Sequence, residues 1–456
     1  MTQPKDRVRD GPLIAWYADD FTGAAAVMEV LTFAGLPAML FLEPPTQDQL
    51  AKYPDLKGIG VASTARAQSP LWMDAELPGV FAQLAALKPA LVHYKVCSTL
   101  DSSPSVGSIG RAIEIGARAC SPAAVPVLIA APQMRRYQSF GNLFAAFGEA
   151  VCRLDRHPVM SRHPVTPMTE SDVAKHIALQ SQKVVTRCLT LEDLSAGVQL
   201  PKTAANPDRI DVVTLDCMDD GTESAVGRLL WDGRAANPFV VGSQGVEYAL
   251  VRHWQDTGQI AKVAASQGIG PADRMVVVSG SVSPTTADQI AWAKANGFVG
   301  IAFDATCVCR SQDTVDQEVA RTVAACLEVI GQGRDPLVYT AEGPDDPAVE
   351  AFKVAASKDI AAANQQTGEA LGHILHQTLT QSGVRRAVVS GGDTSGHATR
   401  QLGIYALTAL APTIPGAALF QAHAEGPMDG LQLALKGGQM GSHDYFGWIR
   451  NGGGPQ

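Results

Sequence analysis

Short runs of β-forming residues alternate with alanine-rich helical stretches along the whole of this chain, and that alternation leaves few architectures open. Residues 13–17 read as a strand that runs into Ala18-Asp19-Asp20-Phe21-Thr22-Gly23, and a helical run over 24–34 follows. Gly35 stops that helix, and 37–42 supplies the next strand. The strand signal returns at 58–62, 90–96, 125–130, 210–215 and 239–242. A turn-rich stretch, 255–274, interrupts the series, and a second one follows. Its strands are expected at 275–279, 300–303, 337–340 and 386–389, with helices from Thr285, over 315–330 and over 355–381. Repeated βαβ units of this kind predict an α/β fold: two α/β domains with mainly parallel sheets and a cleft between them, divided as 1–255 and 256–456.

Length and charge bound the partners. A chain of 456 residues suffices for two or three domains, each with its own core. With 46% hydrophobic and 18% charged residues it reads as an ordinary globular protein. Acidic side chains outnumber basic ones 45 to 36, and no cluster of Lys and Arg offers a footprint for a phosphate backbone, so no nucleic acid partner is expected. No stretch reaches the ~18 apolar residues of a membrane span, so no membrane partner is expected either. Residues 1–11 carry Lys5, Asp6, Arg7, Arg9 and Asp10 with no apolar run behind them, and no signal peptide is read there. Eight cysteines are scattered along the chain, and Cys307 and Cys309 lack the second pair that a zinc site would want. They read as small buried hydrophobes in a reducing, cytoplasmic setting. Homo-oligomerisation is left open.

Ligands of parallel α/β sheets sit beyond the carboxyl ends of strands. Asp19 and Asp20 follow the first strand directly. Adjacent carboxylates there can act as base, metal ligand or hydroxyl acceptor, although one of them can equally cap the helix. Arg66 lies four residues past a strand, and Lys95 near the end of another is followed by Ser98, Thr99, Asp101, Ser102 and Ser103. Bases and hydroxyls at strand ends suit a carboxylate-bearing polyol. Arg135, Arg136 and Tyr137 follow the strand ending at Ala130. His157 and His163 share a Pro-rich loop with Thr166, without the spacing of a zinc pair, and a lid or substrate loop is the expectation.

The second half has two Ser/Gly loops in the equivalent place. These are Ser279-Gly280-Ser281-Val282-Ser283-Pro284 and Ser390-Gly391-Gly392-Asp393-Thr394-Ser395-Gly396. Glycines let backbone approach a phosphate, while hydroxyls and free N–H groups at a helix start bind its oxygens. Gly391 and Gly396 have Walker A spacing, but His397-Ala398 stands where Lys-Ser/Thr belongs, which excludes a P-loop NTPase. Lys436-Gly437-Gly438-Gln439-Met440-Gly441 forms a third glycine-rich turn whose cation and amides can reach nucleotide phosphates.

In this order the segments resemble the four-carbon acid sugar kinases, which include threonate, erythronate and 3-oxo-tetronate kinases. Ala18-Asp19-Asp20-Phe21-Thr22-Gly23-Ala24 is similar to that family's opening Ala-Asp-Asp-Leu/Phe-Thr-Gly-Ala motif. Residues 390–396 resemble its Ser-Gly-Gly-Asp/Glu-Thr-Ser-Gly loop, 279–283 its Ser-Gly-Ser-x-Ser strand end, and 436–441 its Lys-Ser-Gly-Asn-Phe-Gly closing turn. The resemblance implies an acid-sugar domain followed by a nucleotide domain, with ATP and Mg²⁺ as cofactors and transfer to a terminal hydroxyl in sugar-acid catabolism. It implies Asp19, Asp20 and Lys95 as catalytic residues, with Arg66, Ser98, Thr99, His163 and Thr166 on the acid sugar. On the nucleotide side it implies Ser281, Ser283, Gly391, Gly392, Asp393, Thr394, Ser395, Gly396, Lys436 and Gly438. Metal ligands are not assigned. Two segments depart from the family pattern. Lys-x-Asp-Ser-Thr-Leu-Arg-Gly is replaced by Lys95-Val96-Cys97-Ser98-Thr99-Leu100-Asp101-Ser102, and Asp-Pro-x-Thr-Pro by His163-Pro164-Val165-Thr166-Pro167. With these departures the resemblance implies a keto or branched acid sugar, of the 3-oxo-tetronate or 3-oxo-isoapionate kind. The competing readings are a catalytically silent sugar-acid-binding or regulatory protein on the same fold, and a phosphate-acyl transferase.

Overall fold

The structure, a computed structural model, describes residues 11–206 and 208–455, with the backbone alone at Asp393. The charged residues 5–10, read above for a leader, lie outside the described residues, as does the Asp393 side chain. The chain divides into two compact units, Met1–Ala264 and Ala265–Gln456.

The first unit contains β1 (Ile14–Ala18), β2 (Ala38–Phe41), β3 (Gly58–Val61), β4 (Leu91–Lys95), β5 (Val125–Leu128), β6 (Arg136–Ser139), β7 (Asn142–Phe147), β8 (Ala150–Arg153), β9 (Val184–Leu189), β10 (Ile210–Leu215) and β11 (Phe239–Gly242). Eight of them pair in the order β2-β3-β1-β4-β11-β5-β10-β9, and the pairing is parallel throughout. Helices cover both faces of such a sheet, so its central strands must be apolar on both sides, and β1, β4 and β11 are buried along their whole length. Tyr17, Phe81, Tyr94 and Phe239 pack edge-on and offset within the core. From β1 the chain crosses towards β2, and from β4 it crosses the other way towards β5. The β1/β4 gap is therefore a switch point, where ligand sites of doubly wound sheets form. Parallel register sets Ala18 beside Lys95, Lys95 beside Gly242 and Gly242 beside Leu128. That row is the carboxyl edge from which the site loops rise.

The separate antiparallel sheet β6-β7-β8 and strand β9 had no counterpart in the sequence reading. The antiparallel sheet is half-exposed, so its apolar signal is diluted.

The second unit contains β12 (Val276–Ser279), β13 (Phe298–Ala302), β14 (Asp335–Tyr339), β15 (Arg386–Ser390), β16 (Ile404–Ala411), β17 (Leu419–Ala424) and β18 (Gln432–Lys436). Their order is β13-β14-β12-β15-β18-β17-β16, parallel from β13 to β18 and antiparallel where β17 meets β16 and β18. The crossover from β12 leads towards β13 and that from β15 towards β16, which makes the β12/β15 gap a second switch point. The helix expected over 355–381 runs from Ile360 to Ser382, and a separate helix, Pro347–Ala355, precedes it where none was expected. Asp359 breaks them apart by accepting a hydrogen bond from the Ala362 amide (2.9 Å), as an N-cap does. The cysteines also correct the reading: all eight are free thiols, but only Cys217, Cys307 and Cys326 are fully buried. No helix among the described residues is long and apolar enough to cross a membrane.

Candidate functional site

At the β1/β4 switch point four charged side chains come together. Asp19 is buried beyond β1, and Arg66 donates to both its oxygens, from Nε at 3.1 Å and from Nη2 at 2.7 Å. The same Nη2 lies 2.7 Å from Oδ1 of Asp20. Asp20 performs the capping that the sequence left open, accepting from the Gly23 amide at 2.9 Å at the start of helix Phe21–Phe33. Lys95 is buried, with Nζ donating to the Val96 carbonyl at 2.8 Å. A Cβ on Gly23 would stand 2.5 Å from Asp20 Oδ1 and 2.7 Å from Lys95 Nζ, so this helix start needs glycine for the two charged groups to close over it. Burial pushes the Asp19 carboxyl above its usual range, against the pull of Arg66. Burial works against the Arg66 charge too, but Asp19, Cys97 and Asp20 outweigh it and hold the guanidinium pKa well above its ordinary value.

The loop after β4 turns sharply. Buried Leu100 sits in the left-handed region (φ 54°), a strained conformation for a branched residue, and Ser102 braces it through the Leu100 carbonyl at 2.9 Å. Ser102 in turn meets His176 Nε2 at 2.8 Å and the Gln180 amide nitrogen at 3.0 Å, a buried network that the sequence did not signal. Burial lowers the His176 pKa to about 4, so the ring is neutral near pH 7. Ser98 is buried, and Thr99 Oγ1 lies 3.1 Å from Cys97 Sγ. The segment after Lys95 and the loop of His163 and Thr166 meet each other. The Thr166 hydroxyl donates to Asp101, His163 Nδ1 lies 2.8 Å from that hydroxyl, and it stands 3.7 Å from the carboxylate. The Thr166 amide donates to His163 Nδ1 at 3.1 Å, which leaves the ring proton on Nε2.

In the second unit a cavity of about 350 Å³ opens at the β12/β15 switch point. Ser281, Gly391, Gly392, Thr394 and Gly438 line it, joining parts of all three glycine-rich turns. Gly391 has φ 125°, and a Cβ there would stand 2.8 Å from Thr394 Oγ1, so only glycine suits this entry to helix Gly392–Gln401. Ser283, Ser395 and Lys436 stand behind that surface. Ser283 caps helix Pro284–Ala295 and donates to the Gly438 carbonyl at 2.5 Å, while Ser395 donates to the Gly391 carbonyl at 2.7 Å. Gly396 lies within helix Gly392–Gln401. Lys436 is buried beside Thr286 Oγ1 (3.3 Å), with no ion pair among the described residues, and burial lowers its pKa to about 8. The far wall, with Phe352, Lys353, Ile360 and Asn364, escaped the sequence reading. Its one signal was Asp359, a helix cap inside what otherwise reads as one continuous helix.

A charged cluster at one switch point and a glycine-walled pocket at another occur in a chain whose relatives are kinases, phosphotransferases with an alcohol group as acceptor. The chain belongs to the four-carbon acid sugar kinase family: a sugar-binding N-terminal domain matches residues 14–250 and a nucleotide-binding C-terminal domain residues 276–446. Among its relatives, the 3-oxo-isoapionate kinase of Paraburkholderia graminis is 44% identical, over 97% of this chain and 95% of that one. The 3-oxo-tetronate kinase of Cupriavidus necator is 26% identical, over 95% and 96%. A solved structure from Salmonella typhimurium LT2 shares the fold, with a TM-score of 0.74 at 24% identity, covering 96% of this chain and 98% of that one.

Proposed function

We propose that this kinase phosphorylates a branched 3-oxo acid sugar of the 3-oxo-isoapionate kind, held by the first unit, with ATP and Mg²⁺ held by the second. The observation that carries the reading is the convergence of Asp19, Asp20, Arg66 and Lys95 at the β1/β4 switch point. The 44% identity to the Paraburkholderia enzyme supports the branched substrate.

Roles follow from the geometry. Asp19 is bound on both oxygens by Arg66 and is 3% exposed in its side chain, which suits holding the arginine in place. Asp20 is 28% exposed, and its Oδ2 has no partner among the described residues, which suits a base. In the proposed step the sugar hydroxyl oxygen bonds to the γ-phosphorus, the bond to the bridging oxygen breaks, ADP leaves, and the hydroxyl proton passes to Asp20. Lys95 and Arg66 offset charge near the acceptor. Ser98, Thr99, Thr166 and His163 offer hydrogen bonds to the sugar hydroxyls. In the nucleotide pocket the amides from Gly391 onwards and the Ser281 and Thr394 hydroxyls cradle phosphates, Lys436 supplies a cation close behind, and Phe352 and Ile360 give the base an apolar wall. Among the described residues no three or more His, Cys, Asp or Glu side chains group to hold a metal, and the Ser281 and Thr394 hydroxyls of the cavity wall are the groups that would help hold an ion carried in on the triphosphate. That ion supplies neutralisation of phosphate charge.

The test is ADP release with ATP and Mg²⁺ against 3-oxo-isoapionate, 3-oxo-tetronate, threonate and erythronate. The branched 3-oxo acid is expected to give the highest kcat/KM. A higher value for threonate or erythronate would overturn the substrate assignment.

A further inference from the structure

Arg136 is a cation with no ion pair among the described residues. It opens β6, and its backbone is tied to Ala131 in both directions (2.9 and 3.2 Å), just past the carboxyl end of β5. Leu128, the last residue of β5, shares the register row of Gly242, Lys95 and Ala18, so this loop rises from the same sheet edge as Asp19 and Cys97. The guanidinium Nη1 reaches only the Met134 and Arg135 carbonyls, at 3.1 and 3.3 Å. Its Nε is buried with no partner, and no carboxylate pairs with it among the described residues. Cys97 lies close enough to both Arg136 and Arg66 for a charge on its sulfur to act on each guanidinium. Two arginines thus converge on the loop after Lys95. Arg66 is already ion-paired with Asp19 and Asp20, whereas Arg136 has no carboxylate partner among the described residues.

A half-buried guanidinium with an orphaned N–H costs free energy until an anion meets it, and its planar fork matches a carboxylate. Burial depresses its pKa and Cys97 offsets this only in part, the opposite of Arg66, whose acidic neighbours outweigh burial. We propose that Arg136 is the residue that binds the carboxylate of the acid sugar. The inference rests on the acid-sugar reading above. In the bound state the carboxylate, the fixed end of the substrate, would accept from Nη2, and from Nε once the side chain turns to bare it, while the distal hydroxyl is left for Asp20.

The experiment compares wild type with Arg136→Gln and Arg136→Lys, using ADP release and, independently of turnover, calorimetric titration with threonate as probe. Arg136→Gln is expected to raise KM for the acid sugar by roughly ten- to a hundredfold, with KM for ATP within about twofold, because charge-assisted hydrogen bonds are lost on one substrate only. A merely structural residue would not change carboxylate discrimination. Wild type should therefore prefer the acid strongly over its neutral primary amide, and Arg136→Gln should lose that preference. Should Arg136→Gln fail to fold, Arg136→Lys, which keeps charge but not the fork, is expected to give an intermediate loss of discrimination. Retained discrimination in either folded variant would overturn the assignment. Wild type that binds threonate but turns over no acid sugar would overturn the kinase substrate reading instead, and threonate affinity of the variants would still judge Arg136. Wild type that neither binds nor turns over any acid sugar would overturn both.

Discussion

Thr166 donates its hydroxyl hydrogen bond to the carboxylate of Asp101, 65 residues away in sequence. An acidic residue and a histidine-bearing loop are thereby made into one unit with His163. Thr166→Val removes the donor and keeps the shape. We expect a loss of about 1 kcal/mol in stability, and a change of tenfold or more in the ratio of kcat/KM between 3-oxo-isoapionate and 3-oxo-tetronate. Steady-state kinetics on both substrates measures it, and an unchanged ratio would remove the Asp101–Thr166 pair from substrate selection.

Asp20→Asn separates capping from chemistry. Asparagine caps a helix as well as aspartate does, so the melting temperature should stay nearly constant. Loss of a general base should lower kcat by roughly 10²–10⁴. Single-turnover rates and thermal melts on the same sample decide it, and near-wild-type turnover would transfer the role of base away from Asp20.

Lys436 should make both stability and nucleotide affinity depend on pH. Burial lowers its pKa to about 8 from the ordinary 10.5. Below pH 8 the amine is charged in both the folded and unfolded chains, and the cost of burying the ammonium is present in full. Between 8 and 10.5 the unfolded chain binds the proton that the folded chain has shed, so this residue's contribution to stability rises with pH. Phosphates favour the ammonium, so ATP affinity should fall as pH rises through 8. Urea melts and ATP titrations at pH 7 and 9.5 test this, and Lys436→Met should flatten both trends.

Gly391→Ala puts a methyl group against Thr394 Oγ1 at a φ that L residues avoid. A loss of about 1–3 kcal/mol in stability is expected, along with at least tenfold weaker ATP binding. Gly392→Ala, where a Cβ meets nothing within 4 Å, should cost far less stability. Denaturant melts of the pair provide the comparison.

Much of this was legible because parallel strands are buried on both faces and so announce themselves as unbroken apolar runs. β1, β4, β5, β10 and β11 fall within a few residues of where the sequence puts them. The strand ends then located Asp19, Asp20, Lys95 and the glycine turns. What stayed hidden was half-exposed or long-range. β6-β7-β8 alternates too weakly to stand out, and the break at Asp359 lies in an alanine-rich stretch that reads as helix on both sides. The meeting of Asp101 with Thr166, and the solitude of Arg136, depend on which loops share an edge, and a linear chain does not display that.

The row Ala18–Lys95–Gly242–Leu128 makes strand length itself a functional quantity. A single residue inserted into β4 would turn Lys95 to the opposite side of the sheet and lift the 97–103 loop by one step of roughly 3.3 Å. The stretch 259–274, which lies in no strand or helix, has no such row to keep. Length variation among natural relatives should therefore collect in that connecting stretch and avoid the interiors of the four aligned strands, even where their side chains differ freely.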